Sequence, residues 1–215
     1  MLAYPLQIGN NQNIALNMSY RSNTRIEYDT LINSRKRRKL FKLSKSQTTN
    51  QKVRYLYEYI VYVNQLSGSD SDIWYVECSN DVQALLNNFI EADWIELCND
   101  TTNWELDDIV DLAYSVGFGF DGMFHPVLNP DKIRDAGNFY LNLFALSNDH
   151  DVRDEIVSYS FFIKNSKSIQ LDKLKLMRDW MFTYGYDREA WVNSKLNPLG
   201  NINEAIDIAS SQQSI

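Results

Sequence analysis

Two histidines and a set of aspartates are the residues of this chain best suited to acid–base or metal chemistry. In chain order they are His125, the adjacent pair His150 and Asp151, and then Asp179, Asp187 or Asp207. Imidazole and carboxylate groups together can hold a divalent metal ion, which lowers the pKa of a bound water and activates it for hydrolysis. Such a site would require helices that bring distant parts of the chain to one cavity.

This order of one His, an adjacent His–Asp pair and a distant Asp resembles the metal-dependent HD phosphohydrolases. The resemblance implies a helical fold in which His125, His150 and Asp151 bind metal. Pro126 disfavours a helix at His125, and the chain contains only two histidines. Metal-dependent phosphohydrolysis is therefore a further alternative, and the leading expectation is a protein with no catalytic residue, no metal and no cofactor.

Other motifs offer less for catalysis. The stretch "GFGFDG" at residues 117–122 is rich in glycine, but it has no lysine and no following Ser or Thr, and it follows a predicted helix rather than a strand. We interpret Gly117 as a helix end and the two phenylalanines as core residues. Cys78 and Cys98 belong to no close cysteine pair, which predicts reduced core thiols rather than a zinc site or a disulfide.

Charge is distributed very unevenly along the chain. The stretch "NSRKRRKLFKLSK", residues 33–45 and called the basic run below, holds seven of the Lys and Arg residues in thirteen positions, although the whole chain has a net charge of -7. Residues 1–54 carry 11 basic and two acidic side chains, a net charge of +9, and residues 55–215 carry 10 basic and 26 acidic ones, a net charge of -16. Such asymmetry is typical of a chain with a charged interaction segment.

The basic run has three interpretations. It could be a solvated helix face, a contact to nucleic-acid phosphates with one aromatic ring for stacking, or a segment that docks on an acidic protein surface. The residues predicted to make the partner or nucleic-acid contacts are Arg35, Lys36, Arg37, Arg38, Lys39, Lys42 and Lys45, together with Phe41. We favour the acidic protein surface, including that of a neighbouring copy.

The elements that would carry these groups are predicted to be mainly α. With only 8 Gly and 4 Pro, the chain favours long helices over a turn-dense β fold. We expect a compact multi-helix acidic domain of seven or eight helices over residues 51–215, and a basic, partly extended N-terminal arm over residues 1–50 in which a helix can begin at Thr24.

Local signals predict several helix ends. Ser79 or Asn80 can cap one helix, Thr102 can cap another with Glu105 as its capping box, and Gly117 can end it. Asp149 or Asn148 can cap a helix that continues to Lys164.

Residues 51–66 are ambiguous. Val53, Leu56, Ile60 and Val63 have helical spacing, but valines and tyrosines at alternate positions also fit a strand. We favour the helix and keep open a single β-hairpin near residues 53–78.

These observations predict a non-enzymatic structural, assembly or adaptor protein, whose basic arm docks on an acidic partner or on a neighbouring subunit. A connector-type component of a virion would suit this design. The main alternative is a nucleic-acid-binding accessory or regulatory protein that uses residues 35–45 on phosphates. We expect a homo-oligomer or part of a larger assembly, with no membrane partner, in the cytoplasm or in a virion and not secreted.

Overall fold

The computed structural model of the chain describes residues 21–32, 45–67, 78–120 and 124–213. Those residues form eleven α-helices and two short 3-10 helices, Thr101–Asn103 and Pro130–Lys132, and contain no β-strand. The α-helices are α1 (Asn23–Ile32), α2 (Gln51–Ser67), α3 (Ser79–Leu86), α4 (Glu91–Asp100), α5 (Leu106–Gly117), α6 (Ile133–Leu146), α7 (His150–Ser158), α8 (Ser160–Ser166), α9 (Leu171–Thr183), α10 (Glu189–Val192) and α11 (Pro198–Gln212). The predicted mainly α fold is confirmed.

Helix α6 lies at the centre of the packing. It contacts α4, α7, α8 and α9, while α11 packs across α8 and α9. Gly137 allows α6 to approach α8 closely, because a Cβ at that position would lie 2.1 Å from Ser166 Oγ. On the other side of the molecule, α5 packs against α2, α3 and α7.

The segment that was ambiguous in sequence is helix α2, so the hairpin alternative is wrong for residues 53–67, and residues 68–77 lie outside the described residues. The apolar stripe of Val53, Leu56, Ile60 and Val63 is fully buried. The tyrosines looked like a second, alternating pattern because α1 covers another side of the same helix.

Helix α1 packs on α2 through a cluster of tyrosines. Tyr28 is buried, and its ring centroid lies 5.3 to 5.6 Å from those of Tyr55, Tyr59 and Tyr62. The backbone N–H of Ser22 donates a hydrogen bond to Asp81 on α3 at 3.0 Å. Contacts with the folded domain therefore reach back to Ser22, within the stretch assigned to the arm, and the division of the chain at residue 50 stays a prediction.

Several predicted helix ends are confirmed, and others are displaced. Asp149 caps α7, since its carboxylate accepts hydrogen bonds from two backbone N–H groups, and α5 ends at Gly117. The capping box at Thr102 is wrong, because Glu105 itself occupies the N-cap position and α5 begins at Leu106. The helix predicted to run on to Lys164 breaks at Tyr159, where α7 gives way to α8.

A buried glutamine holds the loop that follows α5. Gln83 has no exposed surface, and its side-chain oxygen accepts hydrogen bonds from the backbone N–H groups of Val127 at 2.6 Å and Leu128 at 2.9 Å. Its amide nitrogen donates to the carbonyl oxygens of Ser115 and Phe118. This one side chain joins α3, the end of α5 and the loop leading to α6.

None of the described helices has the length and apolar content needed to cross a bilayer.

Candidate partner-binding face

One residue of the basic run, Lys45, lies in the described part of the chain. The other predicted contact residues lie outside the described residues; they are Arg35, Lys36, Arg37, Arg38, Lys39, Phe41 and Lys42. The Lys45 ammonium forms an ion pair with Glu105, the N-cap residue of α5, and this contact raises the pKa of Lys45. The backbone N–H of Lys45 donates a hydrogen bond to the Tyr57 hydroxyl at 3.1 Å. Lys45, the last residue of the basic run, therefore contacts the folded domain at the start of α5.

The segment after Lys45 is held on the domain by one buried carboxylate. Asp100, at the end of α4, accepts hydrogen bonds from Ser46 Oγ at 2.6 Å and from the backbone N–H groups of Gln47 and Thr48 at 2.8 and 3.1 Å. It also accepts one from Trp104 Nε1 at 2.9 Å. Residues 45–50 belong to no helix or strand, and they are held on the domain by these hydrogen bonds.

Six carboxylates lie along two packed helices, beginning with Glu105. We call them the acidic face: Glu105, Asp107, Asp108 and Asp111 at the start and on one side of α5, with Asp154 and Glu155 on α7. Helices α5 and α7 pack directly against one another. Asn64 of α2 donates a hydrogen bond to Asp108 at 2.8 Å, and the Tyr186 hydroxyl donates one to Asp154.

The carboxylates of the acidic face are close enough to perturb each other. Burial raises the pKa of Asp108, and the charges of Glu105 and Asp107 raise it further. Burial and the charge of Asp108 raise the pKa of Asp111 to about 6. Burial, then Asp154 and then Asp111, raise the pKa of Glu155 to about 7. The face thus carries negative charge that the surrounding groups compensate incompletely near neutral pH.

In the sequence, adjacent carboxylates such as Asp107 with Asp108 and Asp154 with Glu155 are typical of solvated helix faces. The structure instead buries Asp108 and half-buries Asp111 and Glu155. The spacing of three residues between Asp108 and Asp111 places both on one side of α5, and Leu112 beside them is fully buried. This spacing beside a core residue is the sequence signal that both aspartates are at least partly buried. It does not indicate that Glu155 of α7 lies near them.

The candidate metal ligands do not come together. His125 lies exposed in the loop before α6, and His150 begins α7 with its ring against those of Trp180 and Tyr184. The Nδ1 atom of His150 lies 3.5 Å from Oδ1 of the adjacent Asp151. Among the residues that the structure describes, no three His, Cys, Asp or Glu side chains are grouped as metal ligands.

The acidic face, with Lys45 paired to its first carboxylate, is thus the candidate site among the described residues. Lys45 contacts the first carboxylate of the face, and the remaining carboxylates extend away from it toward α7. Comparison of the chain with known protein families, with curated proteins and with solved structures gives no significant match.

Proposed function

We propose that this protein is a non-enzymatic assembly or adaptor protein whose basic run docks on an acidic protein surface, foremost the acidic face of a neighbouring copy. The observation that carries the proposal is the ion pair between Lys45, the last residue of the basic run, and Glu105, the first carboxylate of the acidic face. A cation of this segment and a carboxylate of this face are therefore compatible in geometry as well as in charge.

The charge balance of the acidic face supports a cationic partner. Six carboxylates lie along α5 and α7, and the pKa values of Asp111 and Glu155 are raised to about 6 and about 7. Desolvated carboxylates that raise one another's pKa gain free energy when a cation is placed among them. The basic run supplies six further cations beyond Lys45, more than one ion pair would use.

The attachment of the basic run also favours docking. Helix α1, which ends at Ile32, packs on the domain through Tyr28. From Lys45 onward the chain again forms hydrogen bonds with the domain. A segment anchored at both ends loses less conformational freedom on binding than a free arm does. Contact between the basic run of one copy and the acidic face of the next is heterologous, and it would build rings or filaments.

Solution mass of the full chain tests this proposal. At low ionic strength, about 50 mM, we expect assemblies larger than a monomer that dissociate at about 500 mM salt, because surface ion pairs are screened. Replacing residues 35–39 by glutamine should abolish assembly. Five exposed cations elsewhere serve as the matched control, each changed to glutamine: Arg134, Lys167, Lys175, Arg188 and Lys195.

A second pair of variants tests the acidic face itself. Asp107→Asn, Asp111→Asn and Glu155→Gln together should prevent assembly, whereas the exposed control set Asp172→Asn, Asp179→Asn and Glu189→Gln should not. A monomer at every salt concentration would refute assembly between copies. Binding of duplex or single-stranded DNA with a steep salt dependence, abolished by neutralising residues 35–39, would instead favour the nucleic-acid-binding alternative.

A further inference from the structure

A cavity of about 450 Å³ lies between α1, α2 and the turn that joins α3 to α4. Three cationic side chains line it, Arg21, Arg25 and Lys52, with a single carboxylate, Asp29. Tyr55, Leu85 and Phe89 supply the rest of its wall. A cationic cavity is unexpected in a domain with so large an excess of acidic residues, and its volume lies in the range of small-molecule sites.

Two of the three cations are already neutralised by partners. Arg21 forms an ion pair with Asp29, which also accepts a hydrogen bond from the Tyr55 hydroxyl. Lys52 Nζ lies 2.6 Å from Asp93 Oδ2, and it donates to the Asn88 carbonyl oxygen at 2.8 Å. These two residues leave little donor capacity for an added group.

Arg25 is less completely paired, with a side-chain hydrogen bond to Tyr55. Its Nε is buried and has no hydrogen-bond partner in the described part of the chain. Its guanidinium carbon lies 5.9 Å from the centroid of the Tyr55 ring. The buried carboxylate of Asp81 attracts Arg25 but already accepts hydrogen bonds from Ser22 and from the Tyr59 hydroxyl at 2.7 Å.

We propose that this cavity binds a small organic anion, a carboxylate or a phosphate carried on an aromatic or apolar body, with Arg25 as the residue that holds the anionic group. Arg25 lines the cavity and is only half-buried, so its guanidinium can bond an anion that enters. Its Nε, a buried N–H without an acceptor, adds to the cost of leaving the group incompletely paired. A guanidinium can bind either oxyanion through two parallel hydrogen bonds. The rings of Tyr55 and Phe89 offer an apolar surface for the body of the ligand.

This site is independent of the acidic face. The residues that carry it lie on α1, α2 and the turn after α3, whereas the acidic face lies on α5 and α7. Failure of one proposal therefore leaves the other in place. The site would couple a small molecule to α1, the helix that immediately precedes the basic run.

Calorimetric titration of the full chain is the direct test, with phenyl phosphate, benzoate, inorganic phosphate and the neutral benzyl alcohol as probes. We expect phenyl phosphate or benzoate to bind saturably with a Kd of about 1 mM or lower. Benzyl alcohol and inorganic phosphate should bind at least about tenfold more weakly, since each lacks one half of the recognised chemistry. The preferred anionic probe distinguishes a phosphate site from a carboxylate site.

Two variants locate the binding. Arg25→Lys keeps the positive charge but removes the planar guanidinium, and it should weaken binding by about tenfold. Arg134→Lys changes an exposed arginine on α6 in the same way and should leave the affinity unchanged. Equal binding by wild type and Arg25→Lys would overturn the assignment.

A measurement on the unaltered protein keeps the test decisive if the variant does not fold. The Nε–Hε resonance of Arg25, assigned in the wild-type chain, should shift as phenyl phosphate or benzoate is added. No saturable binding of either anion, or binding that leaves this resonance in place, would overturn the proposal.

Discussion

Replacing Glu155 by glutamine should stabilise the protein at alkaline pH. Glu155 lies on α7 against α5, and its pKa is raised from 4.5 to about 7 by burial first and then by the charges of Asp154 and Asp111. A carboxyl group whose pKa is raised on folding favours the folded state only while it is protonated. Its contribution is fully present below pH 4.5 and is lost as the pH rises through 7.

The size of the effect follows from the two pKa values. A shift from 4.5 to about 7 corresponds to about 3 kcal/mol lost from the free energy of unfolding once the group is charged, at pH 8. Glutamine has nearly the same shape and carries no charge. Glu155→Gln should therefore raise the free energy of unfolding by up to about 3 kcal/mol at pH 8, but by less than about 1 kcal/mol at pH 5.

Urea unfolding followed by tryptophan fluorescence at pH 5 and pH 8 measures this difference. In thermal unfolding, a chain of this length should gain about 2 to 4 °C in Tm for each kcal/mol. Glu189→Gln, at an exposed position on α10, is the control and should change stability little at either pH. A gain of equal size at both pH values, or a loss at pH 8, would show that the burial and repulsion of the Glu155 carboxylate do not limit stability.

Two further changes test the packing that positions these sites. Gln83→Leu should lower the free energy of unfolding by about 2 to 4 kcal/mol, because it removes the side-chain acceptor of two buried backbone N–H groups and the donor to the Ser115 and Phe118 carbonyls. The urea midpoint measures this loss, and the exposed Gln212→Leu should have little effect. Tyr28→Ala should cost about 3 kcal/mol and accelerate hydrogen exchange in α1 while α6 stays protected. Ile26→Ala, at an exposed position on the same helix, is its control, and uniform loss of protection would contradict independent release of α1.

Helix ends determined by local chemistry could be predicted from the sequence. The Asp149 cap depends on a carboxylate that bonds backbone N–H groups two and three residues away, so the neighbouring residues are enough. The break at Tyr159 could not be predicted in this way. It depends on packing against residues such as Tyr114 and Tyr140, which lie on other helices.

Helix α2 shows why pattern alone was ambiguous. Its tyrosines fit the alternation of a strand as well as its aliphatic residues fit a helix. Tyr28 resolves the ambiguity, because α1 covers a second side of α2 and so buries tyrosines that a single apolar stripe would leave exposed. Burial on two sides is a property of the assembled helices, and residues 51–67 do not encode it by themselves.

The sequence alone determined that this protein is mainly helical and that its positive and negative charges are separated along the chain, since net charge is a sum over residue types. Only the tertiary structure decided which charges matter at a given place. It brought Glu155 of α7 to Asp111 of α5, placed Lys45 against Glu105, and put Arg25, whose Nε is buried, in the wall of a cavity. The physical reason is that desolvation and Coulomb interactions depend on distance and burial, and packing sets both.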